Sequence, residues 1–487
     1  MKIIKIYGYI FCGTFTVLSS CSKFLEKDPD NRASLSSPEK VSQLLATAYP
    51  DASYVVFAES ISDNVGDKGM GEVVPANRDP FFFEDVKDIE EDSPEFYWAA
   101  CYAAIAAANQ ALEVCNTVPD PERYTAQRGE ALVARAYSHF MLVNFFAKFY
   151  DINTATSDPG IPYVTDPESV VIKQYDRKTV DDVYKLIEKD LQEGLPLLDD
   201  NIYSVPKYHF NKAAAHAFAA RYYLFRQEYD SVLVHANQVA PANNFLPILR
   251  PVNSTYLNLQ YADLAARYAK ATESANLLLA ETKSLWGRQF ASVRYGLNNE
   301  VRNYLFGYNV TGGSWAWRVF GQSGYYNIPK INEYFVKASV NAEIGQPYVM
   351  VPLFTAEEAL FNRVEANIML GNTTPALEDL NLYASTRIRG YDAASHTITP
   401  DKLNFFYGTS NLEVGLLYAL LDFKQTEFVH EGMRWFDILR YQIPVSHVSL
   451  GPNGQVSQTM ELDADSPYRV FQIPASASLS GIEENPR

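Results

Sequence analysis

The sequence is short of basic charge, of cysteine and of any compact catalytic motif. Lys and Arg number 41 against 58 Asp and Glu, a formal net charge of −17. A nucleic-acid partner needs a basic footprint, and docking by charge on anionic lipid needs the same, so both are excluded. Only four cysteines are present. Cys101 and Cys115 fall on one expected helix, where their separation spans roughly 21 Å, beyond disulfide reach. They read as small buried hydrophobes. There is no G-x-S-x-G, H-E-x-x-H or C-x-x-C. Gly66-Asp67-Lys68-Gly69-Met70-Gly71 lacks the spacing and the Lys-Ser/Thr of a phosphate loop. The seven histidines are scattered, which gives zinc no evident home. A glycoside hydrolase needs only two facing carboxylates, which an acidic chain can supply, but no motif supports one. The chain reads as a non-enzyme without metal or cofactor.

What is present begins at the amino terminus. Lys2 and Lys5 precede an apolar run from Ile6 to Leu18, followed by small residues. Charge, run and small residues in that order make a secretory signal over residues 1–20, too short for a comfortable membrane span. Leu18-Ser19-Ser20-Cys21 resembles a bacterial lipobox, in which the cysteine thiol is acylated and becomes the mature amino terminus. Residues 21–37 then serve as a tether, and several acyl chains anchor far better than one.

The body of the chain is patterned for helices. Ser37-Pro38-Glu39 opens one over about 38–49, with serine as cap and proline in the first turn. Residues 95–117 and 124–150 repeat apolar positions at three and four. Further helices are expected at about 178–198 and 211–225, with Trp98 in the core. Leu370-Gly371-Asn372 with Ala376-Leu377 resembles the turn of a tetratricopeptide repeat, and Tyr229-Asp230-Ser231-Val232 is a poorer copy without the glycine. Such units bury their apolar faces by stacking on one another. The expected pairs are 95–150, 178–240, 354–388 and 412–440. Phe428 to Arg440 reads as one helix whose Glu431, Arg434, Asp437 and Arg440 form a ladder at spacing three.

That last block, E-G-x-R-W-F-D-x-x-R, also resembles the signature of the SusD/RagB family of outer-membrane nutrient-binding lipoproteins, with Met433 where the family usually has histidine. Arg128, Glu130, Ala131, Arg135, Ala136, Phe140 and Leu142 match a family helix, and Gly160-Ile161-Pro162-Tyr163-Val164 matches its short strand. Ile473-Pro474 and Asn485-Pro486 agree near the end. The resemblance implies a mainly α, tetratricopeptide-like scaffold with a loop-rich ligand lobe, a single domain over 38–487. It implies a lipoprotein held to the outer membrane through Cys21, exposed on the cell surface. There it delivers an oligosaccharide to a SusC-type TonB-dependent transporter. It also implies that Asp63 and Asn64 lie beside the ligand.

The insertion from about 241 to 353 changes character. Between 303 and 327, Tyr304, Tyr308, Trp315, Trp317, Tyr325 and Tyr326 are separated by glycines. On a strand Trp315 and Trp317 face one side, and Gly312-Gly313 and Gly321 permit turns that present them. A ring face burying roughly 60 Å² at about 25 cal/mol per Å² contributes on the order of 1.5 kcal/mol. Two or three such platforms give about 3–4.5 kcal/mol, roughly millimolar binding, which suits a protein that must release its cargo. Trp315, Trp317, Tyr308, Tyr325 and Tyr326 are therefore the expected ligand platforms. Trp286, Arg288, Arg294 and Tyr295 form a secondary set. The alternatives are a satellite core under a long loop, or a surface that meets the transporter. A peptide-binding lipoprotein is the competing ligand class, and a purely structural lid a third reading.

Overall fold

The computed structural model describes residues 35–167 and 173–487. The expected signal sequence, Cys21 and most of the expected tether lie outside the described residues. The fold is mainly helical. α1 (Pro38–Leu45) starts where Ser37 accepts from the Lys40 N–H and Pro38 fills the first turn. α2 (Val55–Ser60) and α3 (Pro75–Phe81) follow, then the hairpin of α4 (Pro94–Thr117) and α5 (Thr125–Phe146). α5 is buried almost all round from Gly129 to Phe146, the mark of a central helix. α6 (Val180–Gly194) is started by a capping box between Thr179 and Asp182.

α7 (Lys212–Phe225) and α8 (Tyr229–Ala236) form the next hairpin, α12 (Ala356–Met369) and α13 (Thr373–Arg387) another. Gly371 turns the second with φ +75°, and Gln227 takes the same left-handed conformation, φ +59°, in the first. The poorer repeat copy thus keeps the turn without its glycine, at a cost in strain. Between these hairpins lie the short α9 (Tyr261–Tyr268), α10 (Trp286–Gln289) and α11 (Asn299–Leu305). α14 (Ala393–His396), α15 (Pro400–Tyr407), α16 (Leu412–Glu427) and α17 (Arg434–Arg440) complete the scaffold. α12 packs on α8, α13 and α16.

Strands are few and mostly local. β1 (Gly66–Asp67) pairs with β3 (Tyr295–Gly296), and β2 (Asn276–Lys283) lies beside β7 (Gly345–Thr355), whose other edge carries β6 (Glu333–Lys337). β4 (Phe320–Gln322) and β5 (Tyr325–Asn327) make one small hairpin, β8 (Val445–Leu450) and β9 (Val456–Leu462) another; all these pairs are antiparallel.

Two expectations change here. Residues 160–164 are extended but form no strand. Their polar groups are taken by helix side chains: Asn109 donates to the Val164 carbonyl at 3.0 Å, Tyr102 to that of Pro162 at 3.0 Å, and the Val164 N–H meets His139 Nε2 at 3.0 Å. Nor is 428–440 one helix. α16 stops at Glu427, His430 and Gly432 take positive φ, and α17 begins at Arg434. The ladder is dispersed into tertiary pairs: Glu431 with Lys330 and Tyr268, Arg434 with Asp63, Asp437 with Lys424, Arg440 with Glu365. One weak contact of spacing three survives, Asp437 to Arg440 at 3.7 Å.

Buried ion pairs knit the scaffold. Arg221 meets Glu358 at 2.5 Å, Arg250 meets Glu357 at 2.6 Å, and Arg387 bridges Glu357 at 2.9 Å and Glu427 at 2.7 Å. Cys101 and Cys115 are buried free thiols, the latter pushed up to about 12 by burial. Trp98 is core.

Candidate functional site

The expected tryptophan platforms are not on the surface. Trp315 is 7% and Trp317 5% exposed. The backbone explains why. The Ala316 N–H donates to the Arg387 carbonyl at 2.8 Å and the Arg389 N–H to that of Ser314 at 2.9 Å, which lays 314–316 along the end of α13. Gly313 permits this approach, because a Cβ there would fall 2.4 Å from Ile388. Trp315 meets Phe423 edge-on at 5.5 Å, and Trp317 lies under the Lys330 ammonium at 5.1 Å. The glycines thus fold these rings inward, where cation–π and aromatic contacts hold them. Trp286 is also core, against Phe290. Asn64 is buried and donates to Glu59. Arg294 makes a two-pronged pair with Asp67 at 2.8 Å, and Tyr295 stacks on Phe81 at 4.2 Å. Arg288 pairs with Glu333.

The open ring surface lies instead about α11. Asn298 caps this helix by accepting from the Val301 N–H at 3.0 Å, and its amide also donates to the Asp67 carbonyl. The cap approaches so closely that Gly66 has no room for a side chain. From this helix Tyr304 projects 64% exposed, and Tyr308 just beyond it is 97% exposed. On one flank α11 meets α16, where Thr426 donates to the Leu305 carbonyl at 2.9 Å.

Asp63 and Arg434 form a bidentate ion pair here, both bonds 2.8 Å. The Asp63 side chain stays 30% accessible. Tyr304 sits in the field of this pair and of Asp422: partial burial and then the Asp422 carboxylate push its phenol up, Arg434 opposes them, and Asp63 adds to the rise. Asp422 is itself raised by burial and accepts from Tyr407 at 2.8 Å. Tyr418, next to Tyr407 at 5.6 Å, continues the rings outward.

Tyr325 and Tyr326 lie toward the other flank, since positions 302 and 304 of one helix point roughly 200° apart. Arg302 covers Tyr326 at 4.8 Å, and the Lys68 ammonium sits 5.2 Å from the Tyr325 ring. Burial pulls Lys68 down to about 8. The structure therefore groups Asp63 with Tyr304, Arg434 and Asp422, and puts both half-buried tyrosines of β5 within reach of cations. Sequence reasoning singled out Tyr304 only as one ring of the aromatic run and Arg434 only as a rung of the ladder. Asp422, Tyr407 and Lys68 carried no local signal. Among the described residues no group of three His, Cys, Asp or Glu is placed to hold a metal.

Such a surface combines flat exposed rings with an acceptor, Asp63, held in place by the buried Arg434, which suits a sugar's C–H faces and hydroxyl rim. Residues 23–224 match the family model for SusD-like proteins, described as starch-binding and associating with the outer membrane. Over those residues the chain is similar to the SusD-like proteins. A SusD-like protein P2 of Formosa agariphila is 23% identical over 409 residues, 76% of each chain. A solved SusD superfamily protein from Bacteroides thetaiotaomicron superposes with a TM-score of 0.66 at 18% identity, covering 93% of this chain and 100% of that one. A laminarin-binding SusD-like protein gives 0.60 at 17% identity, over 92% and 99%. These likenesses extend the SusD-like fold over the length of the described chain. Within it, no described helix is long and apolar enough to cross a membrane.

Proposed function

We propose that this SusD-like chain captures a neutral oligosaccharide without turning it over and passes it to a SusC-type TonB-dependent transporter. In this reading residues 38–487 act as one domain, tethered at the outer-membrane surface through an acylated Cys21. The observation that carries the reading is the exposed Tyr304 ring beside the fixed Asp63–Arg434 pair. The ring stacks on a sugar face, while Asp63 and Asp422 accept from hydroxyls and the buried Arg434 holds Asp63 in place. Those carboxylates, on a chain of net charge −17, disfavour anionic glycans. The family description and the laminarin-binding neighbour support carbohydrate as the ligand class. A glycan array followed by titration tests it. Binding of at least one neutral oligosaccharide, unaccompanied by product on prolonged incubation, is expected. Binding restricted to a peptide pool, or release of shorter sugars, contradicts it.

A further inference from the structure

Two adjoining hollows share no lining residue with the Tyr304 surface. One, of about 810 Å³, is bounded by α4, the segment after α1, and strands β2 and β7, with Tyr208, Tyr348 and Met350 on its wall. The other, of about 800 Å³, runs along α1 toward the start of α5. Ala46 and His209 line both, so the two form one groove.

The wall between them is rigid. Glu130, fully buried, accepts from Tyr49 at 2.7 Å and from Tyr203 at 2.6 Å, and meets His209 Nδ1 at 2.7 Å. Tyr203 stacks on His209 at 4.2 Å with the planes 10° apart. One interior carboxylate thus fixes three rings whose edges line the groove. On the opposite side Tyr348 stacks on Tyr334 at 6.1 Å, and Tyr208 is partly exposed nearby. Asp51 and Glu281 supply acceptors. Lys283, the cation at this end, is already paired with Asp51 at 2.7 Å.

We infer that this groove is a second carbohydrate site, which takes an extended neutral sugar chain across the Tyr208–Tyr348 mouth and past His209. Each hollow lies within the size range of a small-ligand pocket, and their union suits a polymer longer than one pocket holds. Tyr208 and Tyr348 at the mouth offer faces to sugar rings, and the fixed ring edges behind them shape the groove with little ordering cost. Acceptors address hydroxyls, and the one arginine of the second hollow, Arg123, is outnumbered there by Glu39, Glu122 and Asp199, which favours neutral sugars over polyanions. The inference shares only its ligand class with the reading of the Tyr304 surface.

Hydroxyl-radical footprinting of the full mature protein, with laminarin- and starch-derived oligosaccharides at saturation, tests it on the native fold. At least one sugar should slow oxidation of Tyr208, Tyr348 and Met350 several-fold. In a Tyr304→Ala background, Tyr208→Ala/Tyr348→Ala should then weaken the remaining sugar binding about tenfold or more. Protection of Tyr304 with none at the groove overturns this inference and leaves the first site standing; the reverse pattern supports it and removes the first. Protection of the groove by a lysine-rich peptide and by no sugar also overturns it.

Discussion

At the scale of single residues, burial decides which aromatics hold the fold and which meet ligand. The Lys330 ammonium lies between Trp317 and Tyr268, and the backbone just before Trp317 is bonded to the end of α13. Trp317→Ala should therefore cost about 3–5 kcal/mol of stability, read as a shift in the urea midpoint. Tyr304 has no such packing role, and Tyr304→Ala should shift that midpoint by less than about 0.5 kcal/mol. The reason one aromatic run supplies both kinds lies in Gly312 and Gly313. Two flexible residues allow the rings to be presented or folded back, and only the close approach to Ile388 selects the second.

At the scale of elements, the helical hairpins were legible because their signals are local. Ser37, Ser93 and Thr179 cap where capping chemistry requires, and Gly371 turns where a left-handed residue is needed. The Glu431–Arg440 block misled because spacing at three fits both a helical ladder and residues reaching to different elements. Only the positive φ of His430 and Gly432 separates the two. Across elements, Arg387 joins α12, α13 and α16 through Glu357 and Glu427 with no solvent access. Arg387→Ala takes the guanidinium from buried Glu427 and leaves Glu357 with Arg250 alone, and should cost about 3–5 kcal/mol.

Asp92 ties the start of α4 to the segment before α10, accepting from Ser284 at 2.6 Å and from the Leu285 N–H at 2.8 Å. Burial pushes its carboxyl from 3.8 up to about 7 despite those donors. The folded state thus holds this proton more tightly than the unfolded chain. Its contribution is full below about pH 3.8 and is lost as pH rises through about 7. Asp92→Asn, which keeps an acceptor and cannot ionise, should gain on the native chain by a few kcal/mol between about pH 5 and 8 in paired urea titrations.

At the scale of the whole molecule, the fold class and the likeness to SusD-like proteins followed from repeats and terminal blocks, while the candidate site did not. Asp63 entered through family resemblance, but its partner Arg434 is 371 positions away. No periodicity joins them, nor either to Asp422. Because the proposed ligand is neutral, its affinity should be insensitive to salt despite the charge of −17, when titrated from low to about 0.5 M salt. The most direct test of the account sets Tyr304→Ala beside Trp317→Phe in calorimetric titrations with a neutral oligosaccharide that the native chain binds. Tyr304→Ala should weaken binding about tenfold, one lost stacking platform, while Trp317→Phe leaves it unchanged. Native affinity in Tyr304→Ala together with lost affinity in a folded Trp317→Phe would contradict the account.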